Sequence, residues 1–161
     1  MKLSYKTCKI RKATFEDADY LGPKLRPEDL LEIESFRPNI EPSEALVTGV
    51  EMCGERCWTV TCLKNKPILM FGVAPVIPNL FGSIWLLGTP RIKEIQWEFL
   101  RNCRTILDEL HEGFPILGNY VSLNNRVHVK WLKFMGFKFI NKLDNFGSLG
   151  LSFYEFIHIK N

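Results

Sequence analysis

Apolar and polar residues alternate from Thr7 to Lys12, the spacing of a strand with one buried face. Thr14 then stands where a helix N-cap belongs, and Glu16 and Asp17 follow it. Acidic groups favour the positive end of a helix, so a short helix is predicted over residues 15–21, stopped by Gly22 and Pro23. Arg26 and Pro27 open a second helix, with Pro27 at its first position and Leu30, Leu31 and Ile33 turned inward. A third helical stretch, capped by Ser43, runs through Ala45, Leu46, Val50 and Met52 to Gly54. The pattern then becomes strand-like: residues 57–63 and 68–76 flank the turn-forming run Lys64, Asn65, Lys66, Pro67, and a further turn at residues 79–82 leads into a strand over 83–87.

Between residues 91 and 111 the apolar positions Ile92, Ile95, Phe99, Cys103, Ile106, Leu107 and Leu110 recur at intervals of three and four. They predict the longest amphipathic helix of the chain, ended by Gly113. Residues 115–122 form a mostly buried strand, and Asn124 and Asn125 precede a helix through Val127, Trp131 and Phe134 that closes on Gly136. Two last strands, 137–143 and 151–159, flank a turn at Asp144, Asn145, Phe146 and Gly147. Antiparallel hairpins combined with one strand–helix–strand crossover imply an α/β (α+β) fold with a mixed, mostly antiparallel central sheet and helices on both faces.

The 161 residues suit one ordinary domain, and no repeat or low-complexity linker divides them. Twenty-one Lys and Arg stand against 18 Asp and Glu, scattered instead of blocked, which argues against a nucleic-acid face and leaves an anionic small molecule allowed. No apolar run approaches the roughly 18 residues of a membrane span, and the first six residues lack the apolar core of a secretory signal. Five cysteines (Cys8, Cys53, Cys57, Cys62, Cys103) make an odd set with no CxxC and no paired His, so reduced thiols in a cytoplasmic setting and no metal are expected.

Two segments carry a resemblance. Asn125-Arg126-Val127-His128-Val129-Lys130-Trp131-Leu132-Lys133-Phe134-Met135-Gly136-Phe137 places Gly-Phe eleven and twelve positions after an Asn, and Ile10-Arg11-Lys12-Ala13-Thr14-Phe15-Glu16-Asp17 runs from a strand into an Ala-Thr-x-x-Asp helix start. With the order of elements, these resemble the GCN5-related N-acetyltransferases. The runs 67–73, 84–89 and 117–121, with Asn125, Trp131 and Leu132, are further similar to acetyltransferase-like proteins of tailed phages, among them a small internal virion protein of podophages. The resemblance implies acetyl-CoA as cofactor and fourth and fifth strands that splay apart, here residues 84–88 and 117–121, with unpaired main-chain groups for the pantetheine arm. It implies cofactor contacts at Leu86, Leu87, Gly88, Thr89, Arg91, Ile92, Lys93 and Asn125, the pyrophosphate lying at the start of the long helix.

Two positions depart from that family's pattern. The phosphate loop is reduced to Gly88-Thr89-Pro90-Arg91-Ile92-Lys93, in which Pro90 has no N–H to donate. Arg91 and Lys93 supply charge there, or else Thr89 caps the helix with Pro90 at its first position and the cations stay in solvent. The family's Tyr seven positions after the Asn is Leu132, which moves no proton. Tyr120, Ser122 and His128 are the substitutes, although His128 is equally a helix residue bonded to water or a carbonyl, and Asn125 equally a helix cap. Of Trp58, Trp85, Trp97 and Trp131, at least two are expected to be core packing. Two functions follow from the resemblance. One is acetyl transfer to an amine-bearing small molecule or protein. The other is a catalytically silent role in particle assembly through phage or host protein contacts, in the host cytoplasm or the virion. Neither nucleic acid nor membrane is an expected partner.

Overall fold

The computed structural model describes residues 5–160. Seven strands form one sheet in the order β1-β2-β3-β4-β5-β7-β6: β1 (Cys8–Lys12), β2 (Cys57–Cys62), β3 (Pro67–Ile77), β4 (Phe81–Gly88), β5 (Ile116–Ser122), β6 (Lys138–Phe146) and β7 (Leu151–Ile159). Every neighbouring pair is antiparallel except β4 and β5, which the long crossover helix makes parallel. The helices are α1 (Phe15–Leu21), α2 (Pro27–Phe36), α3 (Pro42–Cys53), α4 (Ile92–Leu110) and α5 (Arg126–Phe134). The expected mixed, mostly antiparallel sheet between helices is therefore what forms.

Each face of the sheet carries its own core. On one side Ile95, Phe99, Ile106 and Leu110 of α4 and Trp131 of α5 pack on Val60, Phe71, Val73 and Leu117. On the other, Ala18 and Leu21 of α1 and Leu46 and Cys53 of α3 cover Cys57, Met70 and Ala74. Trp58 and Trp131 belong to the first core, whereas Trp97 is exposed, so two of the four tryptophans are buried packing.

Local signals explain most boundaries. Thr14 Oγ1 accepts from Asp17 N at 3.3 Å and Asp17 Oδ2 accepts from Thr14 N at 3.0 Å, a reciprocal cap that starts α1. Gly136, with φ of 88°, ends α5 in the left-handed conformation that costs glycine least. Three expectations are corrected. The third helix starts at Pro42 with Glu41 as its cap residue instead of Ser43, because proline fits the first position without needing a donor. The last hairpin continues through Phe146 and turns at residues 147–150, where Gly147 and Gly150 both take positive φ. Finally, α2 is inverted: Asp29 and Ser35 are buried while Leu30 and Leu31 are exposed. Ile33 does pack half-buried against the second core and Phe36 on Phe153, but the buried positions facing the ends of β4 and β5 are held by hydrogen bonds.

Candidate active site

β4 and β5 pair at only three positions, Phe81 with Ile116, Gly82 with Leu117 and Ser83 with Gly118. Beyond them the strands part, and Asn119 sits in the crotch: its Nδ2 donates to Ile84 O at 2.7 Å and its Oδ1 accepts from Tyr120 N at 2.8 Å. One side chain thus replaces the rung that the next pair would have made. Main-chain groups of successive strand residues face opposite edges, so Ile84, Leu86 and Gly88 look into the gap and Trp85 and Leu87 look toward β3. Gly88 N–H is taken by Asp29 Oδ2 at 2.9 Å and Gly88 O by Arg26 N–H at 2.9 Å. Among the described residues, the N–H and C=O of Leu86 are left without a partner inside the fork.

The far end of the fork is bridged by α2. Arg26, Asp29 and Glu32 are three residues apart and share one side of that helix. Asp29 holds β4 through Gly88, and Glu32 holds β5, its Oε1 accepting from Ser122 N at 2.9 Å. A wholly buried carboxylate costs several kcal/mol unless it is paired. Arg26 offsets that cost for Asp29 with two bonds, from Nε at 3.0 Å and Nη2 at 2.7 Å. Arg26 Nη2 also lies 2.7 Å from His128 Nε2. A guanidinium only donates, so this ring nitrogen accepts, and the neutral imidazole carries its proton on Nδ1.

Asn125 caps α5 by accepting from His128 N at 3.4 Å, and its carboxamide nitrogen lies 3.0 Å from His128 Nδ1, 3.2 Å from Glu32 Oε1 and 3.3 Å from Asp29 Oδ1. Burial pushes His128 down to about 4, with Asp29 opposing and Arg26 adding to the shift. Burial pushes Glu32 up to about 7, against the pull of the Ser122 N–H and with Asp29 adding to the rise. Ligand-type atoms of Asp29, Glu32 and His128 fall within 4.8 Å of one another, but Arg26 already fills the position between Asp29 and His128 that a cation would take.

Between the two arms lies a cavity of about 130 Å³, lined by Leu86 and Leu87 of β4, Tyr120 and Val121 of β5, Trp131 of α5 and Glu32 of α2.

Chains of known structure share this fold. A GCN5-related N-acetyltransferase from Kribbella flavida superimposes with a TM-score of 0.69 at 17% identity, over 94% of this chain and 97% of that one. The acetyltransferase (GNAT family) from Bacillus anthracis gives 0.70 at 10% identity over 99% and 98%, and the ribosomal-protein-S5-alanine acetyltransferase from Vibrio fischeri 0.69 at 12% over 99% and 96%. The fold is that of the GCN5-related N-acetyltransferases. Identities this low speak to the acetyltransferase fold and not to what this chain does with it. No protein-family model and no curated protein matches the sequence.

Within this acetyltransferase fold the residues singled out from sequence separate. Leu86 and Leu87 line the fork cavity. Gly88 is bonded to α2, and Thr89 turns away, its N–H and hydroxyl both donating to Ile68 O at 2.9 and 3.0 Å, so its side chain does not cap α4. Ile92 is core. Arg91 and Lys93 stand at the outer start of α4, Arg91 in a two-bond pair with Glu94 at 2.9 and 2.8 Å. Asn125 and His128 are buried in the α2 network. Tyr120 packs on Phe146 and Phe36 with ring centroids 5.2 and 6.2 Å away. Leu132 is part of the cavity wall. Arg26, Asp29, Glu32 and Asn119 were not singled out. Their signals were a charged residue every third position of a helix, and a lone carboxamide in the apolar strand Ile116–Ser122.

Proposed function

We propose that the protein is a single-domain, acetyl-CoA-dependent N-acetyltransferase of the cytoplasm that passes an acyl group from the thioester to an amine. The observation that carries the reading is the fork, with one residue's N–H and C=O unpaired beside an apolar cavity. An orphaned main-chain pair in an otherwise complete sheet fits an amide-bearing arm laid along β4. Acetyl-CoA supplies, when bound, an acyl group activated as a thioester. Leu86 and Leu87, which line the cavity, would hold the arm that carries that group, through the unpaired N–H and C=O of Leu86. The apolar walls from Trp131, Leu132 and Val121 exclude water that would compete with the amine.

At the other end Pro90 has no N–H and Thr89 is turned inward, so the start of α4 offers phosphates the side chains of Arg91 and Lys93 flanking Ile92. Gly88, Thr89 and Asn125 then hold the shape of the fork from behind instead of touching the cofactor. Tyr120 and His128 remain beside the cavity, but His128 accepts from Arg26 at Nε2 and already carries its proton on Nδ1. The acceptor is an amine-bearing small molecule or a protein. Similar folds include a spermidine N-acetyltransferase chimera and a ribosomal-protein-S18-alanine N-acetyltransferase, which represent both classes. None of the described helices is long and apolar enough to cross a membrane.

Calorimetric titration with acetyl-CoA tests the reading. Saturable heat is expected, with R91A/K93A weakening affinity about tenfold at low ionic strength and less at high salt, since these cations are exposed. No heat at millimolar acetyl-CoA would overturn it. One observation favours the phage-type alternative, a silent assembly protein acting through protein contacts: the bonds that occupy Gly88 and Thr89 take away main-chain donors at the phosphate end.

A further inference from the structure

Three titratable side chains line the fork cavity, Glu32, Tyr120 and His128. His128 accepts at Nε2 from Arg26 and already carries its proton on Nδ1, so it cannot accept a proton without losing the bond from Arg26. Tyr120 is a phenol packed in an aromatic cluster, and among the described residues no carboxylate bonds its hydroxyl. Glu32 differs from both. Its Oε1 is fixed by Ser122 N–H and the Asn125 carboxamide, while Oε2 bonds no protein group among the described residues. Nor is Oε2 sealed, because the buried side-chain atoms left without partners are Tyr5 Oη, Arg56 Nε and Thr61 Oγ1. One oxygen is anchored and the other bonds no protein group, on a side chain that lines the cavity.

Resting on the N-acetyltransferase reading, we propose that Glu32 is the general base of this site, receiving at Oε2 a proton from the ammonium form of the acceptor. The free amine then attacks the thioester carbon: the C–N bond forms, the C–S bond breaks, and the thiolate leaves. The second proton, shed by the newly acylated nitrogen, neutralises the thiolate, so an ammonium and an acyl thioester give an amide, a thiol and the proton held by Glu32. That proton returns to solvent before the next turnover.

The surroundings favour this role. Charged or titratable groups facing Glu32 are Arg26 and Asp29 on its own helix, His128 on α5 and Tyr120 on β5. Arg26 and Asp29 cancel and His128 is neutral, so ionised Glu32 gives the cluster a net charge of minus one, which an incoming ammonium neutralises. A carboxyl that titrates near neutrality is matched to the proton it must take and release. The Asn125 carboxamide nitrogen, 3.2 Å from Oε1, donates to the ionised carboxylate and with Ser122 N–H holds that oxygen in place while Oε2 takes and releases the proton.

The test has two readouts. Carbon-13 NMR titration of labelled cofactor-free protein should show one glutamate carboxyl with a midpoint near 7 that vanishes in E32Q; a midpoint in the ordinary carboxylate range overturns the proposal. For the wild type with acetyl-CoA and a primary amine, kcat/KM should fall below about pH 7, and E32Q should lose about 100-fold or more along with that acid limb. E32D, which keeps a carboxylate, should recover part of the loss, separating chemistry from folding. Wild-type turnover with E32Q equally active overturns the base and leaves the acetyltransferase reading standing. A wild type that neither binds acetyl-CoA nor turns over removes both.

Discussion

Glu32 and His128 are neighbours shifted in opposite directions, and each leaves its own mark on stability. An unfolded glutamate titrates near 4.5 and Glu32 near 7, so between these the folded chain holds a proton that the unfolded chain has lost. Its contribution is complete below 4.5 and is lost as pH rises through 7. His128 titrates near 6.5 unfolded and about 4 folded, so its contribution is complete above 6.5 and is lost as pH falls toward 4. E32Q removes the first term alone. Urea unfolding should show it gaining on wild type from pH 4.5 to 7, by roughly 3 kcal/mol, with the difference levelling off above that. Asn125, His128, Leu86 and Leu87 were singled out in the sequence through the family resemblance, and the fold gathers them around the fork and its α2 network. Glu32 was not, since a glutamate on a short helix looks like any solvated side chain until the helix's neighbours are known.

At the scale of one element, α2 shows how a strong local pattern misleads. Leu30, Leu31 and Ile33 suggested an inward apolar face, and its boundaries were set correctly by Pro27 at the first position. The helix instead lies over strand ends that have unpaired main-chain groups, and satisfying those groups outweighs burying two leucines. An unmade bond to a buried amide costs about 1–3 kcal/mol, comparable to one buried leucine, and Asp29 and Glu32 serve two such amides while Arg26 N–H serves a carbonyl. Charge at the exposed positions should therefore be harmless. L30E or L31K is expected to change unfolding free energy by less than about 0.5 kcal/mol, whereas D29A, which strands buried Arg26, should cost about 3–5 kcal/mol in the same denaturant titration. Equal effects would return the leucines to the core.

Across the whole molecule, the strongly amphipathic segments made the architecture readable: α4 presents one apolar stripe, and the meander of β2, β3 and β4 is bounded by turn residues. A run of aromatic contacts from Trp58 through Phe71 and Phe99 to Trp131, with centroids 5.5, 6.0 and 5.6 Å apart, ties the sheet to α4 and α5. The parting of β4 from β5 was legible only through resemblance, because the device that enforces it is a single carboxamide, Asn119, with no periodicity to announce it. That parting should be visible without any ligand. Trp85 and Leu87 give their amide hydrogens to the β3 ladder, whereas that of Leu86 has no protein acceptor among the described residues. In deuterium oxide Leu86 should exchange its amide by local access to solvent while both neighbours wait for larger openings, so protection along this central strand would drop at one residue and recover at the next.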